Sequence, residues 1–258
     1  MSQLLAGKHA VVTGGARGIG AAITLALLAH GARVTLFGRS SVPPADATLD
    51  PAKIRELHYI AADVSDADAV TQAFAASRSR FGNIEILVNN AGQASSATFL
   101  KTDIALWRRM MSVNLDGTFH CSQAALPDML AARWGRIVNI ASTAGLTGYA
   151  YVSAYCASKH GVIGLTRALA MEIAAKGVTV NAVCPGYTDS DMVNASVANI
   201  VAKTGRTPEQ ALAELVSRNP QKRLIKPEEV ANAVAWLCLP GSEAVTGQAI
   251  SVSGGELT

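Results

Sequence analysis

The stretch Lys8-His9-Ala10-Val11-Val12-Thr13-Gly14-Gly15-Ala16-Arg17-Gly18-Ile19-Gly20 decides the fold. A short apolar run ends in a glycine turn that opens directly into the alanine- and leucine-rich segment Gly18 to His30, so the order is strand, turn, helix. Glycines at these positions let the backbone turn sharply and approach a pyrophosphate, whose charge meets the amides and the positive dipole end of the helix. A glycine motif alone is weak, because ordinary turns are glycine-rich; the flanking strand and helix carry the argument. Gly14, Arg17, Gly18, Ile19 and Gly20 are therefore expected to hold a dinucleotide.

The second strand, Arg33 to Phe37, leads into Gly38-Arg39-Ser40. A carboxylate there would hydrogen-bond the adenosine ribose of NAD and repel the extra phosphate of NADP. None is present, and the planar donors of Arg39, helped by Arg17, suit a phosphate. NADP(H) is favoured, with NAD(H) the alternative if Arg39 is only a solvated loop residue. Asp63, with Val64 beside it, follows the third strand and either accepts from an adenine amine or caps the next helix. The run Asn89-Asn90-Ala91-Gly92 closes the fourth strand, where small residues permit close approach of a cofactor.

Short β-rich runs alternate with helical patterns along the whole chain. Strands are expected at Lys8 to Thr13, Arg33 to Phe37, Leu57 to Ala61, Ile84 to Asn89, Arg136 to Ala141, Thr179 to Cys184 and Gln248 to Ser251. This pattern predicts an α/β Rossmann fold, a doubly wound, seven-stranded parallel sheet with helices on both faces, as a single domain over residues 1–258. Between Asp66 and Phe81, Val70, Ala73, Phe74 and Ser77 repeat at helical spacing, and Ser65 with Asp68 resembles a capping box. Pro43, Pro44 and Pro51 make the segment from Ser40 to Pro51 a loop. An irregular region at 187–220, with helical patterns at Val193 to Lys203 and Pro208 to Arg218, is expected to form a substrate lid.

Composition narrows the function classes. Half of the 258 residues are apolar and 16% are charged, which fits a sheet buried under two helical layers rather than disorder. The formal charge of +3 comes from scattered basic residues, so no nucleic-acid or membrane partner is expected. Cys121, Cys156, Cys184 and Cys238 lie far apart in sequence with no zinc-like grouping, and read as reduced, mostly buried thiols; no metal site is expected. The apolar run from Ala10 to Thr13 is too short for a secretory signal, which makes a cytoplasmic location the expectation.

Tyr155-Cys156-Ala157-Ser158-Lys159 heads a helix-like stretch, and four-residue spacing puts phenol and amine on one face. A tyrosine needs a neighbouring positive charge to exchange its proton near neutral pH, and Lys159 together with an oxidised nicotinamide supplies one. Ser142 lies just past the fifth strand, placed to hold a substrate oxygen. Asn114 interrupts a long helical pattern with an amide suited to a water or backbone contact. Each residue alone has a plain structural explanation, since such pairs are commonplace on helix surfaces and serines commonplace in turns.

Taken in order, the glycine turn, Asp63, Asn89 to Gly92, Asn114, Ser142, Tyr155 with Lys159, and Pro185-Gly186 resemble the short-chain dehydrogenase/reductase family over essentially the whole chain. The resemblance implies a homotetramer that interconverts a secondary alcohol and a ketone by hydride transfer to or from NAD(P). Tyr155 would be the acid/base, with Ser142 stabilising the substrate oxygen. Lys159 would bind the nicotinamide ribose and lower the tyrosine pKa, and Asn114 would anchor a water. Pro185, Gly186, Thr188 and Ser190 resemble the nicotinamide-amide site.

Motif detail is most similar to 3-oxoacyl (coenzyme A or acyl-carrier protein) reductases and polyketide ketoreductases, implying a small-molecule carbonyl or alcohol, either free or thioester-linked. The expected substrate rim is Gln93, Ala94, Ser95, Ser142, Thr143, Tyr149, Tyr151, Val152, Tyr187 and Met192. Arg108, Arg109, Arg133 and Lys203 either meet carrier phosphates or are solvated. Hydroxybutyrate dehydrogenases carry a basic residue just before the catalytic tyrosine, where Val152 and Ser153 stand here, so another small alcohol is the alternative substrate. A non-catalytic nucleotide-binding protein is the remaining reading, and it would show a damaged catalytic set.

Overall fold

Strand β1 (His9–Thr13) is buried along its whole length, and its side chains divide by parity. Ala10 and Val12 join one apolar cluster, Val11 the other. Strands sandwiched in this way must be apolar on both faces, which is why they read as continuous runs in the sequence. The structure is a computed structural model that describes residues 3–41, 49 and 54–257.

Helix α1 (Gly18–Ala29) and strand β2 (Arg33–Gly38) follow, then β3 (Leu57–Ala61), α2 (Ala67–Phe81) and β4 (Ile86–Asn89). The second half runs α3 (Ile104–Met111), α4 (Gly117–Ala132), β5 (Gly135–Ile140), α5 (Ser153–Ile173) and β6 (Val178–Pro185). Helices α6 (Asp191–Thr204), α7 (Pro208–Leu215) and α8 (Pro227–Cys238) precede the last strand, β7 (Ala249–Val252). The strands form one seven-stranded sheet in the order β3-β2-β1-β4-β5-β6-β7. Every pairing is parallel.

Helices α1 and α8 cover one face through Ile23, Leu27, Val230 and Val234. Helices α2, α4 and α5 cover the other through Phe74, Cys121, Met129 and Ile173. All four cysteines are free and buried. No helix among the described residues is long and apolar enough to cross a membrane.

Chain order reverses between β1 and β4, and in such a sheet ligands settle outside the strand ends at that reversal. Thr13 and Asn90 stitch the two ends together. Thr13 Oγ1 accepts from the Asn90 amide at 3.0 Å and the Ala91 amide at 2.9 Å. Asn90 Nδ2 donates to the carbonyls of Thr13 at 3.0 Å and Gly14 at 3.1 Å.

The expected strands all form, with ends shifted by up to two residues. The largest shift is at β4, which begins at Ile86 because the Ile84 amide donates to Asp128 Oδ2 at 3.0 Å instead of entering the sheet. The expected Ser65/Asp68 capping box does not form. Asp66 caps α2, its carboxylate accepting from the amides of Asp68 and Ala69, while Ser65 is taken up by Asp63. The proline-rich loop expected from Ser40 to Pro51 lies almost wholly outside the described residues.

Between α3 and α4 the helical rod widens into a π-turn at Ser112–Asp116. The long helix expected around Asn114 is thus two α-helices joined by one wide turn, with the asparagine inside it.

Candidate active site

At the carboxyl ends of the strands lies a cavity of ≈ 470 Å³, within the range of small-ligand sites. Its floor at the near end is the glycine turn. Gly14 has φ +64°, and a Cβ there would come within 3.1 Å of Asn90 Nδ2 and 3.2 Å of Ala91 Cα. A Cβ on Gly20 would collide with the Gly14 carbonyl. The backbone is therefore bare where it faces the cavity. Arg17, which precedes α1, gives no side-chain cap, so the first amides of that helix are left for an anion. This cradle fits the pyrophosphate of a dinucleotide.

Gly38, Arg39, Ser40, Asp63 and Val64 line the same end of the wall. Unlike Asp66, which caps the next helix, Asp63 gives that helix no cap. It lines the cavity, yet its Oδ1 accepts from the Ser65 amide at 2.9 Å and the Ser65 hydroxyl at 2.7 Å. That hydroxyl, with Arg39 as a lesser contributor, holds its carboxyl below the ordinary range. Sequence reasoning passed over Tyr59, Val113, Asp191, Val193 and Ser196, which also line the cavity. Asp191 pairs with Arg17 at 3.3 Å, joining the start of α6 to the glycine turn.

The far wall gathers residues from three elements. Ser142 stands in extended backbone beyond β5 and accepts from the Ala144 amide at 3.1 Å. Tyr155 and Lys159 come from the first turns of α5, with the ammonium 5.8 Å from the phenol ring centre. Lys159 Nζ donates to the Ile140 carbonyl at 2.8 Å.

Burial opposes the lowering expected of the tyrosine pKa. Withdrawal from water pushes the Tyr155 phenol up to about 12, only partly offset by a hydrogen bond with Ser142. Burial likewise pulls Lys159 down to about 8. The amine is turned to the Ile140 carbonyl and still carries its charge near neutral pH.

Asn114 does not line the cavity. It lies behind Gly92 and Gln93, where its Oδ1 accepts from the Gln93 amide at 2.9 Å and its Nδ2 donates to the Gln93 carbonyl and to Ser158 Oγ, each at 3.0 Å. Both donors are thus occupied by protein. The π-turn delivers the amide to this spot, a feature invisible to side-chain periodicity.

Beyond β6, Pro185, Gly186, Tyr187, Thr188 and Ser190 complete the wall. Thr188 is buried and donates to the Gly186 carbonyl at 3.0 Å; Ser190 Oγ donates to the Thr188 carbonyl at the same distance. Of the expected rim, Gln93, Ala94, Ser142, Thr143, Tyr149, Val152, Tyr187 and Met192 line the cavity, while Ser95 and Tyr151 do not. Tyr151 sits at φ +68° with two thirds of its surface exposed, because the turn before α5 directs it outward. A phenol, a hydroxyl and an amine on one wall, facing a bare-backbone cradle, form a site able to fix a carbonyl oxygen and pass it a proton.

Comparison with known proteins places this geometry. A family model described as short chain dehydrogenase matches residues 8–200. The chain is 38% identical to a D-beta-hydroxybutyrate dehydrogenase of Cupriavidus necator, with 98% of each chain covered. It is 37% identical to a 3-oxoacyl-(acyl-carrier-protein) reductase of Staphylococcus aureus, over 96% of this chain and 97% of that one. Among solved structures it matches a variant of actinorhodin polyketide ketoreductase with NADPH, with a TM-score of 0.92, 35% identity and 99% of each chain covered.

Proposed function

The chain belongs to the short-chain dehydrogenase family and is an NAD(P)-dependent oxidoreductase, and on that premise we propose that it reduces the ketone of a 3-oxoacyl thioester with NADPH. The observation that carries the substrate reading is the charge of the far end of the cavity. The charged residues of its lining are Arg17, Arg39, Asp63, Lys159 and Asp191. Arg17 is paired with Asp191, Asp63 and Arg39 stand at the adenosine end, and the Lys159 amine is held by Ile140. Ser142, Thr143, Tyr149, Val152, Tyr187 and Met192 therefore enclose a neutral acyl space. A free carboxylate would be desolvated among these six side chains, none of which is a cation.

In this reading Gly14, Arg17, Gly18, Ile19 and Gly20 hold the pyrophosphate. Arg39 meets the 2′-phosphate, Asp63 and Val64 flank the adenine, and Asn90, Ala91 and Gly92 support the ribose. Pro185, Gly186, Thr188 and Ser190 seat the nicotinamide amide. The bound cofactor supplies the hydride. Ser142 holds the carbonyl oxygen through its hydroxyl, and Tyr155, whose raised pKa keeps it protonated, donates its proton to that oxygen. Lys159 positions the cofactor ribose and carries the replacement proton, and Asn114 fixes Gln93 and Ser158 around it. Helices α6 and α7 act as the lid, anchored by Arg17 with Asp191 and by a 2.9 Å hydrogen bond from Asn199 to Ser96.

A second reading, oxidation of a small hydroxy acid, is favoured by the identity to hydroxybutyrate dehydrogenases. Identities of 36 to 38% do not choose between the two groups, so the pocket must. The test is NADPH and NADH oxidation on a panel of 3-oxoacyl thioesters and free 3-oxo acids. Turnover is expected with NADPH and thioester. Tyr155→Phe should lose about a thousandfold or more in kcat while binding NADPH unchanged. Preference for NADH or for the free acid would reject the cofactor or the substrate half of the proposal respectively.

A further inference from the structure

We propose that Glu256 is a charge filter at the substrate end of the cavity, admitting 3-oxo compounds whose carboxyl group is masked as a thioester or ester and turning away the free acid. The inference rests on the 3-oxoacyl reading and names the residue that enforces it. Strand β7 ends beside β6, with the Gly186 amide donating to the Val252 carbonyl at 3.1 Å. The chain then turns through Gly254 at φ +65° and Gly255 at φ +90°, which brings Glu256 back over Gly186. A Cβ at position 186 would lie 3.2 Å from Glu256 Oε2.

Glu256 Oε1 accepts from the Tyr149 hydroxyl at 2.5 Å, and that hydroxyl also exchanges a 2.9 Å hydrogen bond with Thr143. Tyr149 and Thr143 both line the cavity, as does Tyr187, whose ring meets Tyr149 edge-on at 6.4 Å. The carboxylate thus stands one side chain behind the substrate wall. Burial, with Glu256 as a further cause, holds both phenols above their ordinary pKa, so both stay neutral and bring no positive charge to meet an anion.

The opposing cation is Arg218, 5.0 Å from the Tyr149 ring centre; its side chain is exposed, so water and salt weaken its reach. A free 3-oxo acid carries its carboxylate two bonds from the reacting carbonyl and must bring it into this wall. Masking that group removes the repulsion and leaves an apolar acyl chain.

The experiment is kcat/KM with NADPH for acetoacetate and for its N-acetylcysteamine thioester, in the unmodified enzyme and in Glu256→Gln and Glu256→Lys. Glutamine keeps an acceptor for Tyr149 while removing the charge. The unmodified enzyme is expected to favour the thioester by about a hundredfold or more, and Glu256→Gln to shrink that ratio by about tenfold by raising the acetoacetate value. Glu256→Lys should shrink it further. An unchanged ratio in both variants of an active thioester reductase, or an unmodified enzyme that handles acetoacetate equally well, overturns the filter alone. Reduction of neither compound overturns the 3-oxoacyl reading and the filter with it.

Discussion

Tyr155 and Lys159 sit where burial opposes both of their charges, the phenol rising to about 12 and the amine falling to about 8. For ketone reduction a reluctant phenol is an asset, because it is fully protonated when the alkoxide needs its proton. The amine sets the upper limit. Below about pH 8 Lys159 is an ammonium able to hold the ribose and resupply the proton; above it that charge is lost. The pH profile of kcat/KM for reduction reports the free enzyme, and it is expected to fall as pH rises through about 8. A profile level from about pH 7 to about pH 10 would exclude Lys159 as the titrating group. The sequence pattern found this pair through its spacing and its companions, but proximity in sequence could not give the sign of the shift. The sign depends on how deeply the fold buries both groups.

At the level of elements, the hinge of the site is the joint between the ends of β1 and β4. Thr13 is buried, and its single hydroxyl oxygen satisfies two amides. Thr13→Val keeps the shape and removes that acceptor, so it should cost about 2–3 kcal/mol of stability, seen as a lower Tm, and weaken cofactor binding. Equal stability would mean that the amides find other partners. The strands were legible in the sequence because burial on both faces writes them as apolar runs, and the glycine turn because its flanks are regular. Their ends were less so. Asp128, far along the chain, withholds the Ile84 amide from the sheet, and Asp66 displaces Ser65 as a cap. Tyr59 entered the cavity wall through its pairing opposite Leu36 in β2, a register no local pattern announces. Glu256 escaped notice for the same reason, being 107 residues from its partner Tyr149.

Across the whole molecule, one sheet carries two apolar layers, and apolar side chains remain on its outer helices. Phe119 on α4, Met171 on α5 and Trp236 on α8 are each roughly half exposed or more. Large apolar groups on three helices support assembly of copies, and light scattering of the purified protein is expected to return about four chain masses. A monomer would reject the homotetramer. The π-turn at Ser112–Asp116 has its own consequence at this scale. Such a turn holds one residue more than the α-turn it replaces, so α3 and α4 belong to two different windings of one rod. Deleting any one of its residues would leave an ordinary α-turn and remove the bulge that carries Asn114. Asn114 would then leave Gln93 and Ser158, whatever amino acid had been lost. At this point the protein's information is held in chain length rather than residue identity, as an insertion that cannot be taken back.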